Sequence, residues 1–238
     1  MIDAKTILAI IPARGGSKGI KGKNLLKVHG KPLLAWSIEQ AKASLYIDRL
    51  VLSSEDEEII KVAKSYGCEV PFVRPRELAT DVSPTIDTIH HAMSHLDKAY
   101  DYLVLLQATS PLRTSGDIDR CISICHKGGV SSCVSFTEVE QSPFWMYRMH
   151  DDSRMIPILG KEDQSARRQD NPKCYIKNGA VYVARWESLL DSDSFVTNDT
   201  LPYIMPHERS LDIDTPLDLL ILEAYLNRKN NSKDFIKV

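Results

Sequence analysis

Apolar residues along the chain alternate between short continuous runs and stretches where they recur every three or four positions. The runs at 7–11, 49–53, 69–73, 102–107, 131–136 and 180–184 predict strands. The periodic stretches near 32–43, 56–66, 85–96, 116–126 and 216–226 predict helices. This alternation implies βαβ crossovers, and so an α/β fold whose mostly parallel sheet is covered on both faces. Residues 138–172 break the rhythm, with an aromatic cluster at Phe144, Trp145 and Tyr147 followed by a polar stretch without period. Such a segment is a lid, an insertion or a subunit contact; packing against the chain's own sheet is the alternative. After Leu226 the sequence turns polar and reads as a fraying tail.

Composition narrows the classes. With 238 residues, 43% hydrophobic and 26% charged, the chain can bury the core of a single α/β domain spanning 1–238. A formal net charge of -2 gives no basic footprint, so nucleic acid is not an expected partner. No run has the length of a membrane span and no signal pattern opens the chain, so no membrane partner and a cytoplasmic location are expected. Of the five cysteines, Cys121 and Cys125 lie one helical turn apart and read as core residues, since further zinc ligands are not evident. His91 and His95 share a helical face but lack the glutamate of a zinc-protease motif.

The densest chemistry lies between Ile11 and Asn24, where an apolar strand empties into a loop carrying Arg14, Lys18, Lys21 and Lys23 among glycines. Glycines allow close backbone approach and clustered cations offset a polyphosphate, so the loop reads as a triphosphate cradle. Neither the Walker A pattern nor the dinucleotide fingerprint is present, and a solvated basic turn is the competing reading. Beyond the 102–107 run, Gln107, Thr109, Ser110 and Arg113 offer an amide, two hydroxyls and a guanidinium suited to a polyhydroxylated ligand. Asp212 and Asp214 point the same way if extended and could hold Mg²⁺ together with substrate phosphates; helix-cap decoration before Pro216 is the alternative. Arg167, Arg168, Lys173 and Lys177 crowd the approach to Asn178 and could hold an acidic substrate or phosphoryl charge.

Together these segments resemble the acylneuraminate cytidylyltransferase family, which includes the CMP-legionaminic acid synthetases. The resemblance runs from Ile11 to Leu219 through Ala13–Gly19 with Lys23-Asn24, Arg74-Pro with Glu77 and Asp81, Leu105–Arg113, Asn178–Tyr182 and Asp212–Thr215. It implies a Rossmann-like, three-layer α/β/α sandwich of the nucleotide-diphospho-sugar transferase type, with a dimerisation extension near 138–172. It also implies a reaction: CTP and an N-acylneuraminate or legionaminate-type acid give the CMP-sugar and diphosphate, with Mg²⁺ or Mn²⁺. Carried over by motif, Arg14, Lys23 and Arg168 are the catalytic cations, Ser17, Lys18 and Asn24 meet the nucleotide, and Arg74, Ser83 and Thr85 line its cytidine end. Gln107 meets the sugar, Asn178 is a further substrate-binding residue, and Asp212 and Asp214 bind the metal. The implied assembly is a homodimer.

Ala108 stands where that family often has proline, and residues 172–175 resemble the legionaminic branch while Asn178–Tyr182 resembles the sialic one, so the sugar stays open. A Kdo cytidylyltransferase and a non-catalytic CTP-binding module are the rival readings.

Overall fold

Strand β1 (Ile7–Pro12) is covered on both sides: Ile7, Ala9 and Ile11 enter one hydrophobic cluster, Leu8 and Ile10 another. An unbroken apolar run is what a central, doubly covered strand requires. The computed structural model describes residues 1–159, 167, 171–190 and 192–230. After β1 come β2 (Lys27–Val28), β3 (Lys31–Pro32), α1 (Leu33–Lys42), β4 (Arg49–Ser53), α2 (Glu57–Ser65), α3 (Thr85–Ser94) and β5 (Tyr102–Leu105). Then follow α4 (Ser115–Gly128), β6 (Ser132–Glu138), β7 (Tyr147–Met149), β8 (Met155–Pro157), β9 (Tyr175–Arg185), α5 (Trp186–Leu190), β10 (Leu201–Ile204) and α6 (Pro216–Asn230).

The main sheet has the order β10-β6-β9-β5-β1-β4. Only β9 runs antiparallel to its neighbours; the remaining pairs are parallel. Leu34 and Ile38 of α1, Ile59 and Ala63 of α2, and Ile118, Cys121, Ile122 and Cys125 of α4 pack on one face. Ile86 and Ile89 of α3, with Trp186 and Leu189 of α5, cover the other. The result is the expected three-layer α/β/α sandwich with a mostly parallel sheet, and Cys121 and Cys125 lie in its core.

Several elements differ from the periodicity. The run at 69–73 makes a single bridge, Val51 to Glu69, because Pro71 cannot donate to a ladder and Phe72 turns into the core. Strand β10 contains Pro202 and so reads as a breaker; it forms because it lies at the sheet edge, where proline is tolerated. Within 138–172, β7 and β8 pair only with each other among the described residues, leaving Tyr147, Met149, Met155 and Ile158 exposed. Strand β9 also starts earlier than predicted, its first residues pairing with Phe136–Glu138 beyond an irregularity in β6.

The connectivity creates the crevice. From β1 the chain passes through α1 to β4 on one side, and later returns through α2 and α3 to β5 on the other. Loops leaving β1 and β5 therefore part at adjacent strand ends, which is where open α/β sheets bind ligands.

One buried carboxylate fastens the far side of this crevice. Asp117 completes a capping box with Thr114 at the start of α4. It also accepts hydrogen bonds from Tyr203 Oη (2.7 Å), Arg209 Nε (2.9 Å) and Arg209 Nη2 (2.8 Å), tying β10 and the approach to Asp212 onto α4. Burial pushes its pKa up, but Arg209, Thr114 and Tyr203 together pull it below the ordinary carboxylate range. The stabilisation is therefore present above the ordinary carboxylate pKa and is lost as pH falls through the depressed one. Asp117→Asn is expected to cost about 2–4 kcal/mol at pH 7, the partly exposed Arg209 reducing the usual cost of breaking a buried pair. Urea unfolding across pH checks this: the deficit should close at acid pH, and a loss under about 0.5 kcal/mol at pH 7 contradicts it.

Candidate active site

A cleft of about 560 Å³ opens at the switch point. It is lined by Arg14, Ser17, Lys18, Lys23 and Asn24 from the β1 loop, by Arg74, Asp81, Ser83 and Thr85 from the segment entering α3, by Gln107 and Thr109 after β5, and by Asp214. Most of the residues singled out in the sequence therefore share one space. Asn178 and Asp212 lie just behind it, and Arg168 falls outside the described residues.

The glycine-rich loop is tied down at several points. Asn24 Nδ2 donates to Arg14 O at 2.9 Å, closing the loop on its own start. Gly15 N donates to Glu55 Oε1 at 2.7 Å, and the other oxygen of Glu55 accepts from Arg74 Nη2 at 2.7 Å in a buried ion pair. The same carboxylate thus positions the loop backbone and Arg74. A side chain on Gly19 would come within 2.3 Å of Asp214 O, so the loop lies directly against the aspartate segment.

Each cation in the lining is held by a carboxylate. Lys23 Nζ pairs with Asp214 Oδ1 at 2.9 Å and donates to Ile213 O at 2.7 Å, with only 12% of its side chain exposed. Arg14 Nη2 and Lys18 Nζ meet Asp81 at 2.6 and 2.9 Å. Lys18, and then Arg14, holds the Asp81 carboxyl below the usual range.

Asp212 is different. Its Oδ1 is buried without a hydrogen-bond partner among the described residues. Burial raises its pKa; a hydrogen bond from Thr109 opposes this and the Asp214 charge reinforces it. An orphaned oxygen on a half-buried carboxylate next to a second aspartate is a donor set suited to a hard divalent cation that shares phosphate ligands. The described residues contain no group of three metal-binding side chains, so such an ion would take its remaining ligands from substrate or water. The segment is fixed by Ile213 N donating to Thr109 O (2.9 Å) and by Asp218, which accepts from Asp214 N and Thr215 N at 3.0 and 2.6 Å. The helix-cap role in this motif therefore belongs to Asp218, which leaves Asp212 and Asp214 for other work.

Asn178 and Arg113 act from behind the cleft. Asn178 Oδ1 accepts from Ser135 Oγ (2.6 Å), and its Nδ2 donates to Ser210 Oγ (2.9 Å), so the amide joins β6, β9 and the aspartate segment. Arg113, read in the sequence as a ligand group, is buried; it donates to Gln107 O (3.1 Å) and Ala180 O (2.7 Å), and burial pulls its pKa down to about 10. It stitches the end of β5 to β9 rather than facing ligand. Glu55 was missed in the sequence, and Asp81 was seen only as part of a motif. Their roles depend on contacts across the sheet that no local pattern encodes.

Gly179 follows Asn178 with φ +74, and a side chain there would sit 2.6 Å from Gln107 Oε1. Gly179→Ala is expected to strain that backbone and displace Gln107, costing about 1–3 kcal/mol in urea unfolding. A loss under about 0.5 kcal/mol would contradict this. Beyond Gln107 a side cleft of about 200 Å³ is lined by Ile86, Leu105, Tyr182, Phe195, Lys177 and Asp193, and it shares Thr85 and Gln107 with the main one.

A sequence model described as cytidylyltransferase matches residues 8–188. The chain belongs to the cytidylyltransferase family. It is a nucleotidyltransferase by that membership. Among its relatives, the CMP-N,N'-diacetyllegionaminic acid synthase of Legionella pneumophila is 34% identical over 92% of this chain and 96% of that protein. The pseudaminic acid cytidylyltransferase of Campylobacter jejuni is 34% identical over 89% of this chain and 92% of its own length. The N-acylneuraminate cytidylyltransferase of Escherichia coli is 34% identical over 95% of this chain, which spans 54% of that larger protein. Among solved structures, a CMP-2-keto-3-deoxy-manno-octonic acid synthetase complexed with CTP superposes with a TM-score of 0.72 at 15% identity, covering 94% of this chain and 99% of that one. At that identity the likeness concerns the fold alone.

Proposed function

We propose that this cytidylyltransferase activates a nonulosonic acid, transferring CMP from CTP to the sugar's anomeric hydroxyl and releasing diphosphate. The observation that carries this reading is the convergence of the β1-loop cations and the Asp212–Asp214 segment on one cleft, joined through Lys23 and Asp214. The relatives named for legionaminic, pseudaminic and N-acylneuraminic acids support the sugar class.

In this reading the cytidine end lies toward Arg74, Ser83 and Thr85, and the triphosphate toward Arg14, Ser17, Lys18, Lys23 and Asn24. Gln107 and the side cleft take the sugar acid, with Asn178 holding that wall in place. The anomeric hydroxyl oxygen attacks the α-phosphorus in line; the new O–P bond forms as the bond to the α–β bridging oxygen breaks, the hydroxyl proton passes to solvent, and diphosphate leaves with the bridging oxygen. Charge neutralisation around the phosphorus and the leaving diphosphate does most of the catalytic work, as in other phosphoryl transfers. Arg14 and Lys23 supply positive charge there, and Arg168 is assigned the same role. Asp212 and Asp214 are suited to hold Mg²⁺, or Mn²⁺, which when bound supplies Lewis-acid stabilisation of phosphate charge.

We assign the whole chain to one catalytic domain acting in the cytoplasm, with 138–172 as an extension through which two copies form a homodimer. The exposed apolar side chains of the β7–β8 hairpin support that assembly. The test is diphosphate release with CTP and Mg²⁺ against a panel of neuraminic, legionaminic and pseudaminic acids, with the eight-carbon Kdo as a further arm. Release with a nine-carbon acid is expected. Nucleotide binding without release from any acid would instead fit a CTP-binding module, and preference for Kdo would move the sugar class.

A further inference from the structure

Asp81 holds two loop cations at once, Arg14 at 2.6 Å and Lys18 at 2.9 Å, although it lies more than sixty residues away on the opposite wall of the cleft. The wall is braced independently of the loop: Ser83 Oγ donates to Glu77 O (2.8 Å) and lies 2.6 Å from Thr80 Oγ1. The carboxylate therefore stays in place while the long Arg14 and Lys18 side chains can change partner. Phosphate oxygens require these same N–H donors. All three charged side chains are partly or largely exposed, at 32%, 80% and 32% for Arg14, Lys18 and Asp81. Ion pairs this open are weak, so a polyphosphate carrying several charges outcompetes one carboxylate.

We propose that Asp81 is an exchange anion for the phosphate loop: it surrenders Arg14 and Lys18 to the incoming polyphosphate and reclaims them when diphosphate departs. This rests on the reading of the cleft as a CTP site and adds a regulator of product release to it. A loop whose cations had no competing anion would retain diphosphate, and release of product often limits turnover. Lys23 lies outside this exchange because its carboxylate partner is Asp214.

The test is calorimetric titration with inorganic diphosphate, which needs no turnover and so is read independently of any sugar acid. Asp81→Asn should bind diphosphate about five- to tenfold more tightly than the parent, the scale expected when two exposed ion pairs stop competing. Asp81→Glu should remain near the parent value, and product inhibition by diphosphate should strengthen in Asp81→Asn alone. Equal or weaker diphosphate binding by Asp81→Asn, with an unchanged melting temperature, would overturn the proposal and make Asp81 a prop for the loop. No diphosphate binding by the parent protein would remove the exchange and the nucleotide reading together. Binding without turnover on any sugar acid would remove only the enzymatic reading.

Discussion

Lys23→Ala is expected to lower kcat by about 10²-fold or more, the scale seen when a preorganised charge donor to a transition state is removed. Lys23 is the least exposed of the paired loop cations, and its ammonium sits between Asp214 Oδ1 and Ile213 O. A charge held with so little solvent around it acts in a lower effective dielectric than Lys18, which is largely exposed, so its removal should cost more. Two readouts separate catalysis from mere fastening of the Asp214 segment. Diphosphate release should collapse, while thermal unfolding of the ligand-free protein should shift by only a few degrees, because one partly exposed pair is lost. Turnover within tenfold of the parent would remove Lys23 from the catalytic set.

Asp212→Asn is expected to have opposite effects on activity and stability. The parent carboxylate keeps a buried oxygen without a partner among the described residues, and burial raises its pKa. Its ionised form is therefore disfavoured in the folded state, and at neutral pH the charge costs stability. Removing the charge should raise the melting temperature of the ligand-free protein by roughly 2–4 °C, the shift that about 1 kcal/mol produces in a chain of this size. The gain should shrink as pH falls toward the raised pKa, where the parent carboxyl takes up its proton. Activity should fall by about 10²-fold or more, because the neutral amide is a poor ligand for a hard cation. Thermal melts across pH and diphosphate release with Mg²⁺ measure both halves. A destabilised or fully active variant would show that the orphaned oxygen is not reserved for a ligand.

The fold was readable where burial is complete on both sides. The runs at 7–11 and 102–107 could only be central strands of a covered sheet, and the spacing of Ile118, Cys121, Ile122 and Cys125 fits a single helical face. Residues with a local chemical signature were legible for the same reason. A cation-bearing glycine loop after a strand, and two aspartates before Pro216, identify themselves by their immediate neighbours. Strand β10 stayed hidden because Pro202 is a breaker everywhere except at an edge, and only the sheet order reveals the edge. Arg113 was misread because its segment is rich in polar groups, yet its guanidinium serves two main-chain carbonyls inside the protein.

By itself the sequence determined the layered α/β class, the loop that carries positive charge and the aspartate pair, since each depends on residues close together in the chain. Tertiary structure alone decided which carboxylate faces which cation: Asp81 with Arg14 and Lys18, Asp214 with Lys23, Glu55 with Arg74. It also decided that Asp212 keeps an oxygen unpaired among the described residues and that Asn178 braces the wall. The physical reason is that electrostatic partners and desolvation are set by distance in space, and crossovers of the parallel sheet bring together charges as far apart in sequence as Lys23 and Asp214.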